Sequence, residues 1–244
     1  MSPQVAITAS GPVYQAMAAA AARTYQRNAE VDVVIQIPDG EVLIADLAGL
    51  PFRRFPWTSP GHAKPWASLK IAGWAAALQA ADDLVLLVDA DTCCQRPLEV
   101  PEAVSRAVRI GAVAAVPDRE PHWPRDTDDP WHVPEPLPDY VNSGVLLLSE
   151  ACAPVVERCA ELAASDALFA GQYGDQRVLN YLIATDALCV HLPADWNAIR
   201  PRHPHEARIL HFAGGGGDPA SRTRQRKRHA RACARALTLA NTLG

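Results

Sequence analysis

Asp89-Ala90-Asp91 closes the apolar run Leu84 to Val88 (LVLLV), and Thr92 follows it. Side chains two apart on an extended chain project to the same side. Ligands of open parallel sheets bind beyond the carboxyl ends of the strands, so both carboxylates are expected to face a cleft. Two carboxylates held together repel unless a cation sits between them. Hard oxygen ligands of this kind suit Mn²⁺ or Mg²⁺, which can also bridge the phosphates of a nucleoside diphosphate. His211 ends a second apolar run and precedes Phe212 and a glycine stretch, Gly214 to Gly217, which makes it a candidate third ligand. Taken alone, an Asp-x-Asp triplet can also start a turn, and a single histidine is often structural.

The elements that would position these groups are legible as alternating strands and helices. Strands are expected at Val5 to Thr8, Val31 to Ile37, Leu84 to Val88, Val113 to Val116, Tyr140 to Leu148 and Ile209 to Phe212. Helices are expected at Tyr14 to Tyr25, Leu69 to Ala81, Ala153 to Ala164 and Asp175 to Ile183. This alternation implies a mostly parallel sheet with right-handed crossovers. At 244 residues and 49% hydrophobic content the chain suits one large domain, drawn here as 1–220 with a basic tail or helix at 221–244.

A formal charge of -4 argues against a surface built for nucleic acid, while a nucleotide ligand stays allowed. The N-terminal residues lack a secretion signal and no segment reaches the length of a membrane helix, so a cytoplasmic location is expected. Six cysteines without regular spacing fit free, mostly buried thiols. The 21 prolines and Ala/Arg-rich texture fit a GC-rich bacterial genome.

Several segments, in order, carry a family resemblance. KIAGWAAALQAADDLVLLVDAD (Lys70 to Asp91), YVNSGVLLLS (Tyr140 to Ser149), GDQRVLN (Gly174 to Asn180), HLPADWN (His191 to Asn197) and ILHFAGGGG (Ile209 to Gly217) resemble the glycogenin-like and lipopolysaccharide galactosyltransferase-like family of retaining glycosyltransferases. The resemblance implies a GT-A type α/β fold, with a mostly parallel central sheet flanked by helices. It implies transfer of a hexose from a nucleotide-diphosphate sugar, UDP-sugar favoured, to a small-molecule or saccharide acceptor. By the same resemblance Asp89, Asp91 and His211 would hold Mn²⁺ or Mg²⁺. Lys70 and Gly214 would lie near the donor diphosphate, with Ala90, Ser143 and Gly144 along the donor. Thr8, Ala9 and Tyr14 would form the base-binding loop, with Tyr14 able to stack on a uracil-like ring. Asn142, Asp175 and Gln176 would lie nearest the reacting carbon. Ordinary structural roles stay open beside these: a helix cap for Asp175, a turn for Asn142 and core packing for Tyr14.

One departure stands out. The family usually has a lysine after the histidine-x-x-glycine motif, where this chain has Gly217, Asp218 and Pro219, which leaves either Arg222 or Arg224 to substitute or a weakened donor site. A scaffold protein without turnover and an inverting transferase of similar fold are the alternatives. A nucleotidyltransferase fits less well, because VAITASGPVY carries no basic residue for a phosphate loop. Acceptor contacts are expected in the loop from Pro117 to Asp139, with His122, Trp123, Trp131 and His132. The run from Arg222 to Arg235, with seven basic residues in fourteen, reads as a solvated helix, with contact to an acidic acceptor, to a diphosphate or, peripherally, to a membrane surface open.

Overall fold

The computed structural model describes residues 2–59, 65–118, 132, 133, 135–164, 174–199, 201, 204–213 and 219–243. Strand β1 (Gln4–Thr8) leads into α1 (Gly11–Asn28), an alanine-rich helix with proline in its first turn. Strands β2 (Val33–Pro38) and β3 (Phe52–Phe55) follow, then α2 (Pro65–Leu78) and β4 (Leu84–Val88), whose five residues are all buried. After the Asp89–Asp91 turn come β5 (Thr92–Cys94), α3 (Glu102–Arg109) and β6 (Val113–Pro117). The chain continues through β7 (Val141–Ser149), α4 (Ala153–Ala163), α5 (Gly174–Thr185) and β8 (Cys189–His191). It closes with β9 (Ala198–Ile199), β10 (Ile209–His211) and α6 (Pro219–Leu243).

The central sheet has seven strands in the order β3-β2-β1-β4-β7-β6-β8. Strand β7 runs antiparallel to β4 and β6, and the other neighbouring pairs are parallel. Every residue of β4 and β7 is buried, as the unbroken apolar run of β4 and the 145–148 half of β7 require of strands covered on both faces. A second sheet, β5-β10-β9, carries the chain from the Asp89–Asp91 turn back to His211. The main core joins Ile7, Tyr25, Ile35, Trp74, Leu86 and Leu146, each at most 2% exposed.

The expected strands and helices all form, with ends shifted by a few residues. The structure adds β3, β5, α3, β8 and β9, which the sequence pattern does not announce: β5, β8 and β9 are at most three residues long. Gly214 and most of the expected acceptor loop, with His122, Trp123 and Trp131, lie outside the described residues. Among the described residues no helix is long and apolar enough to cross a membrane.

All six cysteines are free thiols, five of them buried. Burial pushes the Cys94 and Cys159 thiols up to about 12 and Cys189 up to about 11. A thiol whose pKa is raised by folding stabilises the fold below the unfolded thiol's pKa and loses that contribution as pH rises toward the folded value. Native protein at pH 8 should therefore react slowly with a disulfide reagent and release six equivalents only in denaturant. Its urea midpoint should fall as pH rises above about 9. Six fast-reacting thiols in the native state would contradict this packing.

Candidate functional site

At the carboxyl end of β4 the chain turns rather than continuing extended, with Thr92 N donating to Asp89 O at 3.1 Å. The two carboxylates converge because of this turn and not through strand alternation. Asp89 is tied to the neighbouring strand by its own N–H, which donates to Gly144 O at 2.9 Å, and Ala90 is buried between the two acids. The hydroxyl of Thr92 donates to Asp89 O at 2.8 Å and accepts from Tyr25 at 3.1 Å.

The pairing of β6 and β7 slips between Ala115, opposite Leu146, and Val116, opposite Asn142. The three residues 143–145 therefore bulge out of the ladder on the β7 side, a device that re-aims side chains next to functional sites. Here it presents Asn142 and Gly144 toward Asn197 and His211, and Ser143 toward α5 and Lys70. A Cβ on Gly144 would collide with the His211 ring and with Asn142 Oδ1. Only glycine therefore leaves room for the His211 ring at this point.

His211 is 5% exposed, and its tautomer follows from a chain of fixed hydrogen bonds. The Gly144 backbone N–H donates to Asn142 Oδ1 at 2.8 Å, so that atom must be the amide oxygen. Asn197 Nδ2 donates to the same oxygen at 2.8 Å, which turns Asn197 Oδ1 to His211 Nδ1, also at 2.8 Å. Nδ1 therefore carries the hydrogen. Nε2 then faces Asp91 Oδ1 at 3.3 Å and Asp89 Oδ2 at 3.5 Å. A neutral imidazole would aim its lone pair at two carboxylates, so this arrangement demands a proton or a metal cation at Nε2. Burial alone would lower the imidazole pKa, yet Asp91 and Asp89 outweigh it and push His211 up to about 9. The donor atoms of Asp89, Asp91 and His211 lie within 4.8 Å of one another, and one nitrogen with carboxylate oxygens suits Mn²⁺ or Mg²⁺.

Lys70, from α2, sits beside this group. Its Nζ lies 2.7 Å from Asp89 Oδ1 and 2.8 Å from Asp175 Oδ2, and 5.7 Å from the centre of the Trp74 ring. Burial would lower the lysine pKa, but the two carboxylates more than offset it and raise it. Asp89 responds in kind: burial would raise it, while Lys70 and His211 hold it well below the usual carboxylate range. Asp175, in the first turn of α5 and 3% exposed, also accepts from the Ser143 hydroxyl at 2.7 Å. Gln176 Oε1 accepts from Ser143 N at 3.2 Å, and Gln176 Nε2 donates to Asp118 Oδ2 at 3.1 Å. Asn142 Nδ2 donates to the same Asp118 oxygen at 3.2 Å. Hydrogen bonds and ion pairs thus form a closed ring from His211 through Asn197, Asn142, Asp118, Gln176, Ser143, Asp175, Lys70 and Asp89 back to His211.

The structure therefore brings Lys70, Asp89, Asp91, Asn142, Ser143, Gly144, Asp175, Gln176 and His211 into one cluster. Thr8 and Ala9 lie at the same edge of the sheet, because β1 is the parallel neighbour of β4. Gly73 of α2 is the packing partner of Thr8, leaving no space for a Cβ. Ser10, Gly11 and Gln15 converge on the Glu41 carboxylate, with Gly11 N at 2.6 Å and Gln15 Nε2 at 3.0 Å. Tyr14 is 53% exposed in the first turn of α1, so it is not a core aromatic. Arg224 is exposed, and the side chain of Arg222 lies outside the described residues. Sequence reasoning passed over Asp118, Asn197 and Gln225. Asn197 ends the HLPADWN segment already singled out, and Asp118 is the first polar residue after β6, so position beside a motif was the available signal.

Replacing Gly144 with alanine, or Asn197 with leucine, should weaken Mn²⁺ binding about 10–100-fold, the usual effect of disturbing a metal's outer shell. Calorimetric Mn²⁺ titration of each variant checks this. Unchanged affinity in both would mean that the His211 tautomer does not matter to cation binding.

No family model matches the chain, and no curated protein matches it. Among solved structures, the chain is similar to the galactosyltransferase LgtC, crystallised in complex with donor and acceptor sugar analogues. The two align at a TM-score of 0.60 over 95% of each chain, with 14% sequence identity. At that identity the likeness is one of fold: the chain has the GT-A type α/β architecture found in that transferase.

Proposed function

We propose that this protein is a divalent-metal-dependent glycosyltransferase that moves a hexose from a nucleotide-diphosphate sugar, with a UDP-sugar favoured, to a small-molecule or saccharide acceptor with retention of configuration. The observation that carries this reading is His211 Nε2, fixed by Asn197 to face Asp89 and Asp91 at the carboxyl edge of a GT-A sheet, with Lys70 alongside.

Cleaving a sugar from a nucleoside diphosphate builds negative charge on the departing phosphates. Asp89, Asp91 and His211 would hold Mn²⁺ or Mg²⁺, which when bound supplies Lewis-acid stabilisation of that charge. Lys70 adds a fixed positive charge in a largely buried setting, where a preorganised cation needs no rearrangement as the bond breaks. Asp175 and Asp89 grip the Lys70 ammonium from two sides, so it keeps one position throughout. In this reading Asp175 anchors Lys70 and Ser143 rather than attacking the sugar. Asn142 and Gln176, both joined to Asp118, form the polar wall expected along the donor sugar. Thr8, Ala9 and Tyr14 at the edge of β1 and α1 would receive the base, with the exposed Tyr14 ring free to stack on it. Gly214 would lie against the diphosphate.

The absence of a lysine after the His211 motif favours a second reading, a GT-A scaffold that binds a nucleotide without turnover. One experiment separates the two. Purified protein is given UDP-, GDP- and dTDP-hexoses with Mn²⁺ or with EDTA, and nucleoside diphosphate release is followed without acceptor. Release from a UDP-sugar, abolished by EDTA and by Asp91→Ala, is the expected result. The same assay should run roughly 100-fold or more slowly in Lys70→Met, as for other losses of a preorganised charge. Binding of a nucleotide sugar with no release from any donor would support the scaffold. Once a transfer product is in hand, its anomeric configuration decides between retention and inversion.

A further inference from the structure

Helix α6 carries basic residues in abundance, yet none of those described is what holds it in place. Arg224, Arg226, Lys227, Arg228, Arg231 and Arg235 are exposed. The face turned inward is Gln225, His229, Cys233 and Ala236, spaced at i, i+4, i+8 and i+11 along one stripe. His229 Nε2 lies 2.8 Å from Thr92 O, and its ring meets Phe212 edge-on at 5.6 Å between centres. Cys233 and Ala236 pack with Cys93, Ala207 and Leu210 against the small sheet.

One turn before His229, Gln225 Nε2 donates to Asp91 Oδ2 at 2.7 Å and also to the carbonyl of Phe212, the residue after His211. Phe212 N in turn donates to Asp91 O at 3.0 Å. With Oδ2 engaged by Gln225, Asp91 offers Oδ1 to His211 Nε2. The contact fixes both which Asp91 oxygen faces the cation position and where the backbone after His211 leaves the sheet.

We infer that Gln225 is a positioning residue for the cation site, and that docking of α6 is part of what makes the site bind metal. The inference rests on the reading of Asp89, Asp91 and His211 as cation ligands. A neutral amide suits this position physically. It orients the carboxylate by hydrogen bonding while leaving its negative charge for the cation. An arginine there would neutralise Asp91 and compete with the metal.

The test is the dissociation constant for Mn²⁺ alone, read by the spin-resonance signal of free Mn²⁺ in the full-length chain. Gln225→Met keeps about the length of the side chain and removes the amide, and with it both hydrogen bonds, to Asp91 and to the Phe212 carbonyl. It should weaken Mn²⁺ about 10-fold or more, and Gln225→Arg should weaken it further. Exposed Lys227→Met on the same helix should leave binding unchanged. In an Asp91→Ala background Gln225→Met should cost little more, because its effect runs through Asp91. Matched thermal midpoints for the wild-type and Gln225→Met proteins exclude general unfolding as the cause. Wild-type affinity in both Gln225 variants would overturn the inference alone. Failure of the wild-type protein to bind Mn²⁺ would overturn the cation reading, and the inference with it.

Discussion

A histidine nitrogen held against two carboxylates is the constraint on which the rest of this site depends. The Gly144 N–H can only donate, and from that one fact the orientation of Asn142, then of Asn197, then of the His211 ring follows in sequence. The ring has no freedom to turn its protonated nitrogen toward Asp89 and Asp91. Those carboxylates therefore meet a lone pair unless a proton or a metal cation stands between them, and the three donor atoms lie close enough together to hold such a cation. The fold supplies the parts from different places: a tight turn after β4, a bulge in β7 and the end of β10 brought in by the small second sheet.

Lys70 plays the complementary part. Placed between Asp89 and Asp175, it neutralises one side of the cluster and leaves Asp91 to His211 and Gln225. Because every member of the polar ring holds two neighbours, a displacement at one point passes to the next. The same connectivity explains why buried polar side chains such as Asn142, Ser143, Asp175, Gln176 and Asn197 are tolerated in a core lined by Leu86, Leu146 and Trp74. Each has a partner with good geometry, and a buried polar group costs most when it has none.

Much of this was legible in the sequence where local pattern decides structure. The run LVLLV reads as a doubly covered strand because it is short, wholly apolar and bounded by acidic residues, and the acids after it fall at the ligand edge of a parallel sheet. The family resemblance brought together Lys70, Asn142, Asp175 and His211, which lie far apart along the chain. What stayed hidden was pairing. Nothing local to Asn197 shows that it will meet Asn142 across 55 positions, or that Gln225 will meet Asp91 across 134. The inward stripe of α6 was masked by the arginines around it, although the uncharged positions 225, 229, 233 and 236 keep helical spacing. Strands β5 and β9 were illegible because two or three residues carry no period.

The central claim is that His211 Nε2, with Asp89 and Asp91, is a ligand of the bound cation. Pulsed electron spin resonance on Mn²⁺ bound to the protein together with UDP reads this directly. Coupling to one imidazole nitrogen, lost in His211→Ala, is expected together with coupling to phosphorus from the diphosphate. Bound Mn²⁺ with phosphorus coupling but no imidazole nitrogen would contradict it, and would place the cation on the nucleotide alone.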